Sequence, residues 1–258
     1  MNHTGPGSFD VLTDDQLVRY GRDGFLDVTE PLLSRDEIRL ARERVDRLFD
    51  RWSSLPRRLK GGDADSPPLI ARIFWVTAVD QGIARSQLVR TCREIARSVM
   101  GVRKVWCRFD SAIYKYPGAG PVNWHQDIAL SMTRMRPRSV HFWIPLNDHA
   151  LDSGCMAYVP GSHQNGMVEH RLVEGSEGVK KVAAPPDDAD VISVPLSVGN
   201  FSLHTPLTMH CSDSNSGNDI RKALTLEFSA GAWSAARQLG RPLVNALFVH
   251  HPAATKER

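Results

Sequence analysis

KVWCRFDSAIYKY, residues 104–116, decides the architecture. Up to Gly101 the chain reads as helices joined by loops; from this stretch onward it breaks into short runs rich in β-branched and aromatic residues. SVHFWIPLND (139–148), CMAYVPGS (155–162), ADVISVPLSVGNFSLHTP (189–206) and KALTLEFSAG (222–231) continue the texture, punctuated by Gly, Pro, Asn and Asp. Helices first and strands afterwards predict an α+β protein whose strands form a sandwich or barrel.

Upstream, TDDQLVRYGRDGF (13–25) predicts a short helix with Thr13 as cap, Gln16 at the third position and Gly21 or Gly24 as stop. SRDEIRLARERVDRLFDRW (34–52) predicts a longer one, with Ser34 and Glu37 as a capping box. Ile38, Ala41, Val45, Leu48 and Trp52 form its apolar stripe. A third helix spans Ser86 to Met100, with Leu88, Cys92, Ile95, Ala96 and Val99 on one side. Between them, residues 53–68 carry Pro, Gly and clustered charge and read as a long loop. That loop and LIARIFWV (69–76) are lid candidates, with Arg57, Arg58, Lys60 and Arg72 able to meet an acidic group. The expected organisation is one domain over 1–258: a flexible tail (1–10), a mainly helical part (11–100), a strand core (101–233) and a C-terminal extension (234–258).

A chain of 258 residues buries a substantial core unaided, and 41% hydrophobic with 24% charged residues is ordinary for a globular protein. A net charge of +3, spread along the chain, points to neither nucleic acid nor a membrane surface. No apolar run is long enough for a membrane helix, and MNHTGPGSFD has no secretory pattern. The cysteines Cys92, Cys107, Cys155 and Cys211 are scattered and read as reduced thiols. The expectation is a cytoplasmic protein, monomer or homodimer, acting on a small molecule.

NWHQDIAL (123–130) carries the first chemical signal. Residues i and i+2 of a strand share a face, so a strand here would point His125 and Asp127 together, with Asn123 beside them. An imidazole and a carboxylate supply two ligands of the facial triad that holds non-haem Fe(II). Alone, the pair is more often a hydrogen bond in a turn. For a third ligand, His3, His250 and His251 lie near the termini, His149 and His170 in polar segments, and His163 in a turn. His204 and His210 remain, and spacing does not choose between them. The residues after His210 do: Ser212, Asn215, Ser216, then Arg221 at the head of a strand. An arginine there can pair with a carboxylate beside the metal. A 2-oxo dicarboxylic acid needs that arrangement, its keto-acid end on the iron and its far carboxylate on a fixed cation.

WHQD, WIPLND, SGCMAYVPGSH and HCSDSNSGNDIR, with LTDDQLVRYGRDGFLDV ahead of them, resemble the phytanoyl-CoA dioxygenase family of Fe(II)/2-oxoglutarate oxygenases. The resemblance covers roughly residues 11–230. It implies a double-stranded β-helix (jelly-roll, cupin-like) core with the helices on its outer face. It implies His125, Asp127 and His210 as catalytic iron ligands, and Arg221, assisted by Ser212, on the distal carboxylate of 2-oxoglutarate. Trp143 would flank the cosubstrate and Asn123 touch it. His141, on the Trp143 face of its strand, and Arg72 are substrate candidates; Pro160 to His163 read as a structural turn. The implied cofactors are Fe(II), 2-oxoglutarate and O2, with ascorbate in support. Halogenating relatives replace the aspartate by a small residue; Asp127 is present, which points to oxygen chemistry. The implied reaction is hydroxylation, cyclisation, epimerisation or desaturation at a C–H bond, in bacterial natural-product tailoring. The alternatives are an acyl-CoA hydroxylase, or a non-catalytic or isomerase-type jelly-roll metal-binding protein.

Overall fold

A computed structural model describes residues 11–30, 32–61, 67–130, 138–173 and 181–231, with backbone alone at 181 and 182. The tail 1–10 and the extension 234–258 expected from the sequence lie outside the described residues. The order begins α1 (Asp14–Asp23), β1 (Phe25–Val28) and α2 (Arg35–Phe49). Two 3-10 turns (Trp52–Ser54, Arg57–Leu59) lead to β2 (Lys60–Gly61) and β3 (Ile70–Phe74). Helices α3 (Val76–Val79), α4 (Gln81–Ala84) and α5 (Gln87–Met100) follow. Then come β4 (Trp106–Lys115), β5 (Val122–His125), the single turn α6 (Asp127–Leu130), β6 (Ser139–Pro145) and β7 (Met156–Tyr158). The remaining strands are β8 (Arg171–Leu172), β9 (Lys181–Val182), β10 (Ile192–Val194), β11 (Phe201–His204), β12 (His210–Ser212) and β13 (Arg221–Ser229).

The strands form two facing antiparallel sheets, a seven-stranded one ordered β1-β11-β6-β13-β4-β3-β2 and a four-stranded one ordered β10-β7-β12-β5. This is the α+β jelly-roll expected from the sequence, with β8 and β9 as a separate pair. Alternation sorts the side chains of the large sheet. On β6, Val140, Phe142 and Ile144 face the helices, as do Leu224, Leu226 and Phe228 on β13. There they bury Ile38, Val45, Leu88 and Ile95 in the principal core. The opposite face, looking at the small sheet, carries Ile70, Ile113, Trp143 and Ala223 against Met156, Tyr158 and Val194. The site lies on this inner face.

The α1 cap forms as expected: Thr13 and Gln16 exchange both capping-box bonds. Ser34 does sit at the α2 N-cap, but its side chain makes no cap hydrogen bond, so that box is not made. The α2 stripe ends at Phe49, with Trp52 buried in the following 3-10 turn. Residues 11–100 carry the expected helices, and β1, β2 and β3 within them belong to the large sheet. The lid candidates are corrected, since 53–61 and 69–76 are not a free lid: β3 is hydrogen-bonded between β2 and β4, and Lys60 is buried, donating to the Trp52 carbonyl. Residues 62–66 of that stretch lie outside the described residues. All four cysteines are buried free thiols. Among the described residues no helix is long and apolar enough to cross a membrane.

Candidate metal centre

His125 ends β5, and its direct cross-strand partner on β12 is His210. That register alone brings the two imidazoles together, with ring centroids 4.2 Å apart. Asp127 arrives differently from the expectation of one continuous strand. β5 stops at His125, and Asp127 opens the turn α6. Gln126 between them is fully buried and pins the corner. Its amide donates to the Gly166 and Leu207 carbonyls (2.8 and 2.7 Å) and accepts from the Val168 N–H (2.9 Å). Its backbone N–H donates to His170 Nε2 (3.0 Å). The bend turns the Asp127 carboxylate towards the histidine pair, with Oδ1 at 3.7 Å from His125 Nε2 and 3.8 Å from His210 Nε2.

These three donors fit a divalent ion. Both Nδ1 atoms lie against a carbonyl two residues back, Asn123 O at 2.8 Å and Thr208 O at 2.9 Å. Each Nδ1–H therefore donates outward and each Nε2 turns its lone pair to Asp127 Oδ1, the arrangement that orients metal-binding imidazoles. Burial, reinforced by the neighbouring imidazole, pushes His125 down to about 3, and burial takes His210 down to about 4. Burial opposes ionisation of Asp127, but the surrounding histidines outweigh it and hold its carboxyl well below the usual range. Two neutral imidazoles and one carboxylate can take an ion without first losing protons.

His204 also reaches Asp127, through Nε2 to Oδ2 at 3.0 Å, and His141 Nδ1 lies 2.7 Å from the same oxygen. Asp127, His141 and His204 thus form a second compact group. Its spacings are those of N–H···O hydrogen bonds, and His204 Nδ1 is buried without an acceptor among the described residues. A ligating imidazole normally donates its other nitrogen. The geometry thus favours His210 over His204 as the third ligand.

Arg221 heads β13 and is 1% exposed. Its guanidinium lies 4.8 Å from the Trp143 ring centroid and donates to the Gly154 carbonyl; its Nε is buried without a partner among the described residues. Burial lowers its pKa to about 9, and no carboxylate pairs with it among the described residues. A buried cation with donors to spare can receive a carboxylate. Ser212, two residues beyond His210, lies on the same face of β12. Its Oγ accepts from Lys115 Nζ at 3.2 Å, which leaves the hydroxyl proton free to donate. Trp143 is held edge-on by donating from Nε1 to His149 Nδ1 (3.3 Å), while His149 Nε2–H donates to the Lys222 carbonyl (2.9 Å). Gly154 has φ +73°, and a Cβ there would meet the Asp213 carbonyl at 2.2 Å, so the loop above Arg221 requires glycine.

Cross-strand register sets the rest of the inner face. Phe25, His204, His141, Glu227 and Phe109 form one row across the large sheet. Arg72 lies on β3 between Ile70 and Phe74, over the Phe74 ring at 5.9 Å, desolvated and within the field of Asp127. Asn123 is half-buried on β5; its carbonyl, rather than its side chain, has the documented role, orienting His125. Pro160 to His163 form the turn expected of them, the 3-10 turn starting at Ser162. The sequence reading passed over His149, His170, Lys115 and Glu227. His149 and His170 sit in polar stretches and act through long-range contacts that spacing does not reveal. Lys115 and Glu227 carried a signal that could have found them: each is a charge on the inward parity of a strand.

The model of the phytanoyl-CoA dioxygenase family matches residues 20–223. A phytanoyl-CoA dioxygenase from Arabidopsis thaliana is 27% identical, across 83% of this chain and 88% of its own. The crystal structure of EvdO2 from Micromonospora carbonacea var. aurantiaca superposes with a TM-score of 0.71 at 26% identity, covering 85% of this chain and 91% of that one. The epimerase SnoN, solved with Fe3+, alpha-ketoglutarate and nogalamycin RO, shares the fold at 18% identity and a TM-score of 0.64, covering 83% and 82%.

Proposed function

The chain belongs to the phytanoyl-CoA dioxygenase family of Fe(II)/2-oxoglutarate-dependent enzymes, and from that premise we propose that it oxidises a C–H bond of a small molecule with iron held by His125, Asp127 and His210. The observation that carries the reading is the buried guanidinium of Arg221, with no carboxylate partner among the described residues, on the face of the large sheet that looks at the small sheet carrying His125 and His210. A metal-binding jelly-roll that needed no dicarboxylate would have no use for a cation desolvated there. When bound, the iron with 2-oxoglutarate and O2 supplies the oxidising power for the C–H bond.

This chain's residues supply binding, orientation and exclusion of water. His125, Asp127 and His210 bring three donor atoms together and would hold the iron, a ligand set that would leave positions for cosubstrate and O2. Arg221 and the Ser212 hydroxyl fix the distal carboxylate of 2-oxoglutarate, with the Trp143 face packed on the guanidinium. Arg72, on the same inner face, offers a cation to an acidic group of the substrate. The likeness to SnoN supports a substrate of the natural-product kind and leaves hydroxylation, epimerisation, cyclisation and desaturation as outcomes of the same site.

The test is anaerobic addition of Fe(II) and 2-oxoglutarate to the purified protein. A visible metal-to-cosubstrate charge-transfer band in the wild type, lost in H210A and requiring far more 2-oxoglutarate in R221L, is the expected result. No band in the wild type would refute the reading.

A further inference from the structure

We infer that His141 and His204 are positioning residues that clamp the outer oxygen of Asp127 and so leave only Oδ1 to a metal ion. The inference rests on the reading of His125, Asp127 and His210 as the ligand set. The two carboxylate oxygens of Asp127 have different surroundings. Oδ2 lies 2.7 Å from His141 Nδ1 and 3.0 Å from His204 Nε2. Two such donors occupy both lone-pair directions of one oxygen. Among the described residues Oδ1 has no donor at that range; its imidazole neighbours stand at 3.7 and 3.8 Å, room for an ion shared between them. A carboxylate free to rotate could chelate through both oxygens and take a coordination position. Held by its outer oxygen, it takes one and keeps three open.

The clamp is built into the sheet. His204 pairs with His141 across β11 and β6, and His141 pairs with Glu227 across β6 and β13. Their inward parity aims all three at the same spot. The Glu227 carboxylate lies 3.5 Å from His141 Nε2 and binds Arg108 at 2.7 Å. Arg108 reaches it at an irregularity where the β13–β4 register shifts between Glu227 and Phe228, the kind of bulge that re-aims a side chain beside a site. His204 is packed against the Tyr158 and His210 rings, with centroids 5.5 and 4.5 Å away. Arg108, Glu227, His141 and Asp127 thus run as one line of charges from the sheet to the ligand, with Glu227 at ion-pair distance from His141 rather than hydrogen-bonded to it.

Co(II) titration under anaerobic conditions tests this without turnover, reading affinity and the d–d absorption of the bound ion. Leucine at either position removes the donor; H141N and H204Q keep an N–H near the place of Nδ1 and Nε2 respectively. We expect H141L and H204L to bind Co(II) roughly 10- to 100-fold more weakly, with an altered d–d spectrum as the carboxylate turns. H141N and H204Q should return close to the wild type in both. H204F, which keeps a ring against Tyr158, should behave like H204L and serves where leucine does not fold. Leucine and phenylalanine variants matching the wild type in affinity and spectrum would overturn the clamp. So would a second Co(II) per wild-type chain that H204L abolishes, since the pair would then be ligands. Failure of the ligand reading looks different: H125L and H210L would bind Co(II) like the wild type, or the wild type would bind none, and the clamp falls with it.

Discussion

Replacing Arg221 by methionine should make the apoprotein more stable while removing its grip on 2-oxoglutarate. The guanidinium is 1% exposed, keeps one acceptor in the Gly154 carbonyl and has no carboxylate among the described residues. Burial lowers its pKa from 12.5 to about 9, so at pH 7 it stays charged and the fold carries the desolvation cost. At about 1.4 kcal/mol per pKa unit that cost is on the order of 5 kcal/mol. Methionine fills similar volume without charge but strands the Gly154 carbonyl, a loss of roughly 1–3 kcal/mol. The net gain is then about 2–4 kcal/mol, or roughly 4–16 °C in melting temperature for a chain of this size. The assay is thermal unfolding in chelator, then with Mn(II), with and without 2-oxoglutarate. Wild type should rise on addition of the dicarboxylate and R221M should start higher and not respond. An R221M apoprotein less stable than wild type would refute the account of a cation held in reserve. A 2-oxoglutarate response of full size in the variant would refute the assigned partner.

Metal should raise the melting temperature of wild type and of H204F when saturating, and leave H210A unmoved; at about 100-fold over Kd the wild-type gain is about 2.7 kcal/mol. S212A should raise the dissociation constant for 2-oxoglutarate about tenfold, the worth of one hydrogen bond to a charged group, measured by titrating the charge-transfer band. His149 is neutral in the fold, its pKa lowered from the ordinary 6.5 to about 3 by burial and by Arg221. Between those two values the unfolded chain binds the extra proton, so stability falls with falling pH, by up to about 1.4 kcal/mol per pH unit for this group. H149N should flatten that slope relative to wild type in unfolding measured from pH 7 to pH 4; parallel slopes would contradict the neutral, buried assignment.

What the sequence could and could not reveal follows from the range of the interactions. The helices and the alternation on β6 and β13 are local, and Val140, Phe142 and Ile144 face the helices as their spacing requires. The small strands β2 and β3 were misplaced because a two-residue edge strand and IARIF carry no pattern apart from their partners. At the site, HxD suggested a strand, but convergence depends on Gln126, held by Gly166, Val168 and Leu207 from remote segments. The choice between His204 and His210 shows the same limit more sharply. Both are buried, both face inward and both reach Asp127, one through each oxygen. They differ in what lies behind the ring: Thr208 O accepts from His210 Nδ1, whereas His204 Nδ1 has no acceptor among the described residues. That difference arises from backbone conformation at residues 208–210, below the resolution of any spacing rule. Arg221 tipped the choice in sequence, eleven residues on, and in the fold it pairs across strands with Lys115, whose Nζ donates to Ser212 Oγ. A cation stranded inside a fold marks its ligand more specifically than the metal donors do, since His and Asp pairs also satisfy one another, as His141 and His204 do here with Asp127.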